Sequence, residues 1–162
     1  AAFGTEDLVI KPPVSAGSDH TWLLRGPTPC PAEALGRSML VQPMMPSIAS
    51  EGEYSLFYFG GMFSHAIIKR PAKGDFRVQE QYGGREEAAA APDQALALAK
   101  RAFATTAAIT QTGTLAYARV DVLRDSDGIF RLMELELIEP SLFLRFAPDQ
   151  GADFAKALLS AV

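Results

Sequence analysis

The sequence predicts an α+β domain built from antiparallel strands with a few packed helices. Three observations carry this. "EYSLFYFGGMFSHAIIKRP" reads as two strands joined at Gly60-Gly61, a dipeptide that permits the positive φ angles of a tight hairpin. "LAYARVDVLRD" and "GIFRLMELELIE" read as a second strand pair about "DSDG", whose Asp-Gly step favours a hairpin. Between the two pairs, residues 92–111 change to a helical period.

Taken in order, "DLVIKPP" is a short apolar strand stopped by Pro12 and Pro13, followed by the small-residue loop "SAGSDH" and a second strand, "TWLL". "GPTPCPAEALGR" is a proline-rich connection with one turn of helix, and "SMLVQPMM" is a third strand ended by Pro43 and Pro46. After the Gly60-Gly61 hairpin, "AKGDFRVQEQYGGREE" reads as an extended loop holding one short strand, and "EEAAAAP" as a small low-complexity run. The helix that follows has Pro92 in its first turn and Asp93 at the positive end of its dipole, with Leu96, Ala99, Phe103 and Ala107 on one face. Gly113 ends it, and "PDQGADFAKALLSAV" is a final helix.

A chain of 162 residues with 48% hydrophobic and 21% charged residues has the composition of an ordinary globular protein. The net charge of −4 excludes a basic nucleic-acid-holding surface as its main feature, and no apolar run is long enough to cross a bilayer. The single cysteine, Cys30, allows neither an internal disulfide nor a thiolate metal site, which fits a reducing cytosol. The chain has no initiator methionine and its first strand starts by about residue 8, so an N-terminal portion is expected to lie outside it.

In "RLMELELIEPSLFL", Glu134 and Glu136 alternate with Met133, Leu135 and Leu137, so a strand sends both acids to one face. Folding at "DSDG" brings Asp121 opposite a residue near 134. Like charges this close each raise the other's pKa unless a cation or a hydrogen-bond donor sits between them. Two readings stand: a magnesium site of three hard carboxylates, or the solvated face of an edge strand. Lys11, Lys69, Arg70 and Arg77 are candidate phosphate contacts, with "SAGS" as a loop whose backbone N–H groups approach phosphate oxygens. The solvated surface is the alternative for each. His20 and His65 lack metal-ligand spacing and read as surface or packing residues. Met39, Met44, Met45, Phe57, Tyr58 and Phe59 read as core or hinge packing. There is neither a nucleophile elbow nor a Walker-type phosphate loop.

The order of a strand lysine before a small-residue loop, "VQPMM", "EGEYSLFYFGGMFSHAIIKRP", "GDFRVQEQYGG" and "VDVLRD…FRLMELEL" resembles the C-terminal part of an ATP-grasp enzyme of the glutathione-synthetase-like group. The "ELELIEPSLF" ending resembles a branch that includes a D-cycloserine-forming ligase. The resemblance covers roughly residues 8–145. It implies two α+β subdomains of antiparallel sheets with packed helices sandwiching a nucleotide: residues 1–45 as part of the lid subdomain and hinge, and residues 46–162 as the C-terminal subdomain with the metal site. The N-terminal substrate domain has no counterpart in the chain.

Residue by residue, the resemblance implies Lys11 on the nucleotide phosphates, Ser15 and Gly17 in the lid loop, and Gln42, Pro43 and Met44 around adenine. It puts Glu53 near the ribose, and Lys69 and Arg77 at the phosphates or an acyl-phosphate intermediate. Gln79 takes a position where Asn is common. Asp121, Glu134 and Glu136 match magnesium ligands, although the family's usual E-x-N pattern would have Asn at 136, and Glu139 is a second candidate for that role. The implied activity is an ATP- and Mg2+-dependent ligase joining a small-molecule carboxylate to an amine or similar nucleophile through an acyl phosphate. Such transfer needs positioning and charge neutralisation more than a protein nucleophile. The alternative is a non-catalytic nucleotide-binding regulatory or assembly domain, and a third possibility is a structural domain with no nucleotide site. Neither nucleic acid nor membrane is an expected partner. Analogy suggests a homodimer, and ATP use suggests the cytoplasm.

Overall fold

The computed structural model describes residues 3–111 and 113–161. The chain divides into two compact units, Ala1–Pro46 and Ser47–Val162.

In the first unit, β1 (Leu8–Lys11) lies between β2 (Trp22–Leu24) and β3 (Leu40–Pro43), antiparallel to both. Val9 and Ile10 are its buried residues, as expected for the central strand of so small a sheet. Pro43 sits at the end of β3, an edge strand, where its missing N–H costs no interior ladder bond. Met44 N–H then donates to Asp7 C=O at 2.9 Å, fixing the exit of the strand. The connection rich in proline holds one 3-10 turn, Ala32–Ala34.

The second unit starts with a single helical turn, α1 (Ser47–Ser50), which sequence reasoning did not resolve. Its sheet has the order β6-β5-β4-β7-β8, built from β4 (Glu53–Phe59), β5 (Met62–Arg70), β6 (Arg85–Ala89), β7 (Tyr117–Arg124) and β8 (Phe130–Glu136), with every pair antiparallel. The β4–β5 turn is Gly60-Gly61 with φ of 55° and 78°, the positive pair that a two-residue type I′ turn requires. The β7–β8 turn is longer. There Asp125 Oδ1 accepts from the N–H groups of Asp127 and Ile129, both at 2.9 Å. Strand β6 begins where the sequence reads as the end of a loop and takes in the first two of the four alanines that follow. It is an edge strand carrying Arg85, Glu86 and Glu87, charges that protect an exposed edge and hide the strand's alternation.

One face of this sheet packs on α2 (Asp93–Thr110). Leu56, Tyr58, Ala66, Val120 and Val122 meet Ala95 and Ala99, small residues that let the helix approach closely. Of the residues expected on the packed face, Leu96, Ala99 and Phe103 meet this core, whereas Ala107 is exposed and Ala95 and Thr106 are buried. The Thr106 hydroxyl donates to Ala102 C=O at 2.9 Å, so it is satisfied within the helix. On the opposite face Phe57, Phe59 and Ile67 lie under Tyr117, Leu142, Phe143, Leu144, Phe146 and residues Phe154 and Ala157 of α3 (Ala152–Ser160).

Register is adjusted in β8. Asp121 pairs with Glu134 but Val122 pairs with Leu132, leaving Met133 as an extra residue. This bulge allows Phe130 and Leu135, of opposite parity, both to join the α2 core while Glu134 and Glu136 stay on the other face.

Candidate functional site

The register of the second sheet gathers its charges. Ser55 lies opposite Asp121, Asp121 opposite Glu134, Arg119 opposite Glu136, and Glu53 opposite Lys69. Residues two apart on a strand share a face, so the polar groups form one patch on the face that also carries Phe57 and Phe59. At its centre Lys69 Nζ lies 3.2 Å from Asp121 Oδ2 and 3.3 Å from Glu53 Oε1. Arg119 reaches three acids: its Nε donates to both oxygens of Asp121 at 3.1 Å, and its Nη2 meets Glu136 and lies 3.7 Å from Glu134 Oε2. The patch grades from dry to wet, with side-chain exposure of 1% at Asp121, 9% at Lys69 and Arg119, and 47% at Glu134.

Burial and ion pairing oppose each other in setting the charges of this cluster. Burial works against the charged form of Asp121, but Lys69 and Arg119 outweigh it and hold the carboxyl below its ordinary range. Burial likewise opposes the charge of Lys69, and Asp121 and Glu53 reverse this so that the ammonium persists to higher pH. Glu53 goes the other way. Its desolvation exceeds the pull of Lys69, with Asp121 and Glu134 adding repulsion, and its carboxyl is pushed up to about 7. The Ser55 hydroxyl is fully buried beside this cluster, opposite Asp121 in the sheet.

The segment after β8 crosses the same face. Arg119 Nη1 donates to Ser141 C=O at 3.3 Å, and Lys69 Nζ lies 5.9 Å from the Phe143 ring centroid. His65 stacks on Phe57 with ring centroids 4.3 Å apart, and its Nε2 is 3.2 Å from Leu142 C=O. A carbonyl only accepts, so Nε2 carries the proton and Nδ1 accepts from Ser64 Oγ at 3.0 Å. Burial lowers the pKa of His65, so it is a neutral anchor for the segment.

The structure therefore brings together Glu53, Lys69, Asp121, Glu134 and Glu136. Glu139 lies past the end of β8 with a positive φ of 48°, outside the group formed by Asp121, Glu134 and Glu136. Arg77 is held in its own loop. Its guanidinium makes a bidentate pair with Asp75, at 3.1 and 2.8 Å, and stacks on Tyr82 at 3.6 Å. Gln79 has its side-chain oxygen buried with no partner among the described residues. Lys11, Ser15, Gly17, Gln42, Pro43 and Met44 belong to the first unit. There Gly17, Ser18 and His20 take positive φ in two successive turns, closed by Asp19 N–H to Ala16 C=O and Thr21 N–H to Ser18 C=O. Sequence reasoning missed Arg119 and His65 as site residues. For Arg119 the signal was available, because "RVD" puts it on the same strand face as Asp121.

The chain is 36% identical over 129 residues to the cycloserine biosynthesis protein DcsG of Streptomyces lavendulae, a match covering 77% of this chain and 42% of that protein. Against the crystal structure of the D-cycloserine synthetase DcsG, the TM-score is 0.82 at 28% identity, over 98% of this chain and 56% of the other. The fold is shared with D-alanine–D-alanine ligase from Bacillus anthracis, with a TM-score of 0.61 at 18% identity over 95% of this chain and 53% of that one. It is also shared with the ATP-grasp ligase PsnB complexed with a precursor variant, Mg and ADP, with a TM-score of 0.57 at 18% identity over 96% of this chain and 47% of that one. The chain belongs to the ATP-grasp family. No protein-family model matches it. This ATP-grasp chain spans less than half the length of the curated relative it matches.

Membership gives the acidic patch a test of fit. One carboxylate oxygen from each of Asp121, Glu134 and Glu136 lies within 4.8 Å of the others. Hard oxygen donors without His or Cys suit Mg2+, which binds through a few carboxylates and keeps positions for water or phosphate. Among four acids (Glu53, Asp121, Glu134 and Glu136) and two bases (Lys69 and Arg119), negative charge is in excess, as a divalent-cation site needs. The donor set of the ATP-grasp chain fits the metal.

Proposed function

We propose that the protein to which this chain belongs is an ATP- and Mg2+-dependent ligase that activates a small-molecule carboxylate as an acyl phosphate and passes it to an amine or similar nucleophile. The observation that carries the reading is the charged patch itself: Asp121, Glu134 and Glu136 converge on one sheet face beside Lys69 and Arg119 in an ATP-grasp chain.

In this reading Asp121, Glu134 and Glu136 hold the metal, whose contribution is to neutralise charge on the transferring phosphoryl group. Lys69, fixed between Glu53 and Asp121, presents an ammonium that cannot drift, which gives preorganised stabilisation of phosphate oxygens. Arg77 is a second candidate phosphate contact, its guanidinium plane set by Asp75 and Tyr82. We assign Lys11, with Ser15 and Gly17 of the following loop, to the nucleotide phosphates, and Gln42, Pro43 and Met44 to the base. Glu53 is the candidate ribose contact. Its high carboxyl pKa lets it donate as well as accept near neutral pH. D-cycloserine synthetase and D-alanine–D-alanine ligase among the relatives favour a small amino-acid-like carboxylate as substrate. A homodimer and a cytoplasmic location remain part of the proposal.

The test is ADP release from ATP and Mg2+ by the longest expressed form of the protein, against a panel of amino-acid carboxylates with and without an added amine or hydroxylamine. Release that needs both organic partners supports the ligase. ATP binding with no turnover across the panel points to a nucleotide-binding regulatory domain.

A further inference from the structure

Of the two cations in the acidic patch, Arg119 is the one that reaches Glu134 and Glu136. Its guanidinium meets all three acids that form the candidate metal group and, through Nη1, the Ser141 carbonyl of the crossing segment. A divalent ion and a guanidinium need the same carboxylate lone pairs, and carboxylate oxygens that lie within 4.8 Å of one another leave no room for both in these positions. Lys69 is different: it holds Asp121 and Glu53 but neither Glu134 nor Glu136, so it can keep its place when the acids turn to a metal.

We infer that Arg119 is a resident counter-cation of the metal site, which gives up its contacts with Glu134 and Glu136 when a divalent ion binds and so loosens its tie to Ser141. The inference rests on the metal reading proposed above. It gives Arg119 the task of compensating three neighbouring acids, of which Asp121 is buried and would be costly to leave with less positive charge beside it. It also couples metal entry to the crossing segment, whose backbone at Glu139 and Phe143 is held at φ of 48° and 45°. Residues without the freedom of glycine adopt such angles only where surrounding contacts impose them. Arg119 is one such contact, and His65 on Leu142 C=O is a further anchor, which does not touch the acids.

The experiment is a Mn2+ titration followed by electron paramagnetic resonance, on the nucleotide-free protein and on Arg119→Met and Arg119→Lys, each checked for folding by circular dichroism. Loss of the competing charge should tighten Mn2+ binding by about tenfold or more in Arg119→Met, with Arg119→Lys in between because its ammonium lacks the planar fork. In the wild type, Mn2+ should speed hydrogen exchange of the amides of residues 142–146 several-fold. In Arg119→Met that exchange should be fast before metal is added. Equal or weaker Mn2+ binding by a folded Arg119→Met, or a segment whose exchange ignores Mn2+, overturns the inference. Should Arg119→Met not fold, Arg119→Lys and the wild-type exchange experiment decide. Mn2+–ATP binding measured in parallel separates the two levels. A wild type that binds Mn2+–ATP while these effects are absent loses only the counter-cation role, whereas one that binds neither Mn2+ nor Mn2+–ATP loses the metal reading as well.

Discussion

The two ends of one sheet face differ in what fills them. At one end Glu53, Ser55, Lys69, Arg119 and Asp121 are sealed against each other; at the other, two residues further along β4, Phe57 and Phe59 pack with Ile67, Tyr117 and Phe154. Both ends are buried, yet they are stable for different reasons. The aromatic end is non-directional and gains from area removed from water. The charged end is favourable only while every partner is present, since desolvation of each ion is offset by its neighbours. An apolar filling carries no such requirement, and the charged end is the one we propose to be functional.

The comparison can be broken first by removing one member from each end. Lys69→Met should destabilise the protein by about 3–5 kcal/mol in urea unfolding, because Glu53 and Asp121 are left buried with one cation fewer. Phe57→Ala should cost a similar ~3–5 kcal/mol through a cavity. Their pH dependence should separate them. The Lys69→Met cost should shrink toward pH 5 as Glu53 takes a proton, while the Phe57→Ala cost stays constant. A Lys69→Met cost below about 0.5 kcal/mol would place the acids on an ordinary solvated surface.

A finer test uses Glu53. Its folded carboxyl titrates at about 7 against an ordinary 4.5, so between those values the folded chain holds a proton that the unfolded chain has released. The resulting stability is complete below about 4.5 and is lost as pH rises through 7. Comparing melting temperatures at pH 5 and pH 8, the wild type should lose more than Glu53→Gln, by an amount of order 1–3 kcal/mol. His65, with its lowered pKa, acts in the opposite sense below 6.5, and it is present in both proteins, so the difference isolates Glu53. The smallest effect is expected outside both ends. Arg145, more than half exposed and paired with Glu86, should cost less than ~1 kcal/mol when changed to Ala.

Much of this was legible in the sequence. Gly60-Gly61 set a two-residue turn, the strand pair about "DSDG" put Asp121 and Glu134 in register, and the alternation of Glu134 and Glu136 placed both acids on the face away from α2. The cation between them was not identified, although Arg119 stands two residues from Asp121 on the same strand. A strand arginine reads as a solvated charge until its neighbours across the sheet are known. The edge strand β6 was obscured because its charges and alanines carry no hydrophobic period. The Met133 bulge was invisible for a different reason: it shows only when the faces on both sides of it are compared with the partner strand.

The most direct measurement of the central claim is a calorimetric titration of ATP into the protein, with and without Mg2+, beside a Glu134→Ala, Glu136→Ala double variant. The account predicts binding that needs Mg2+ and that the folded double variant loses by at least about tenfold, equivalent to 1.4 kcal/mol. Equal Mg2+–ATP binding by wild type and double variant, or none by a well-folded wild type, would contradict it and leave the paired glutamates as the charged rim of a structural ion cluster.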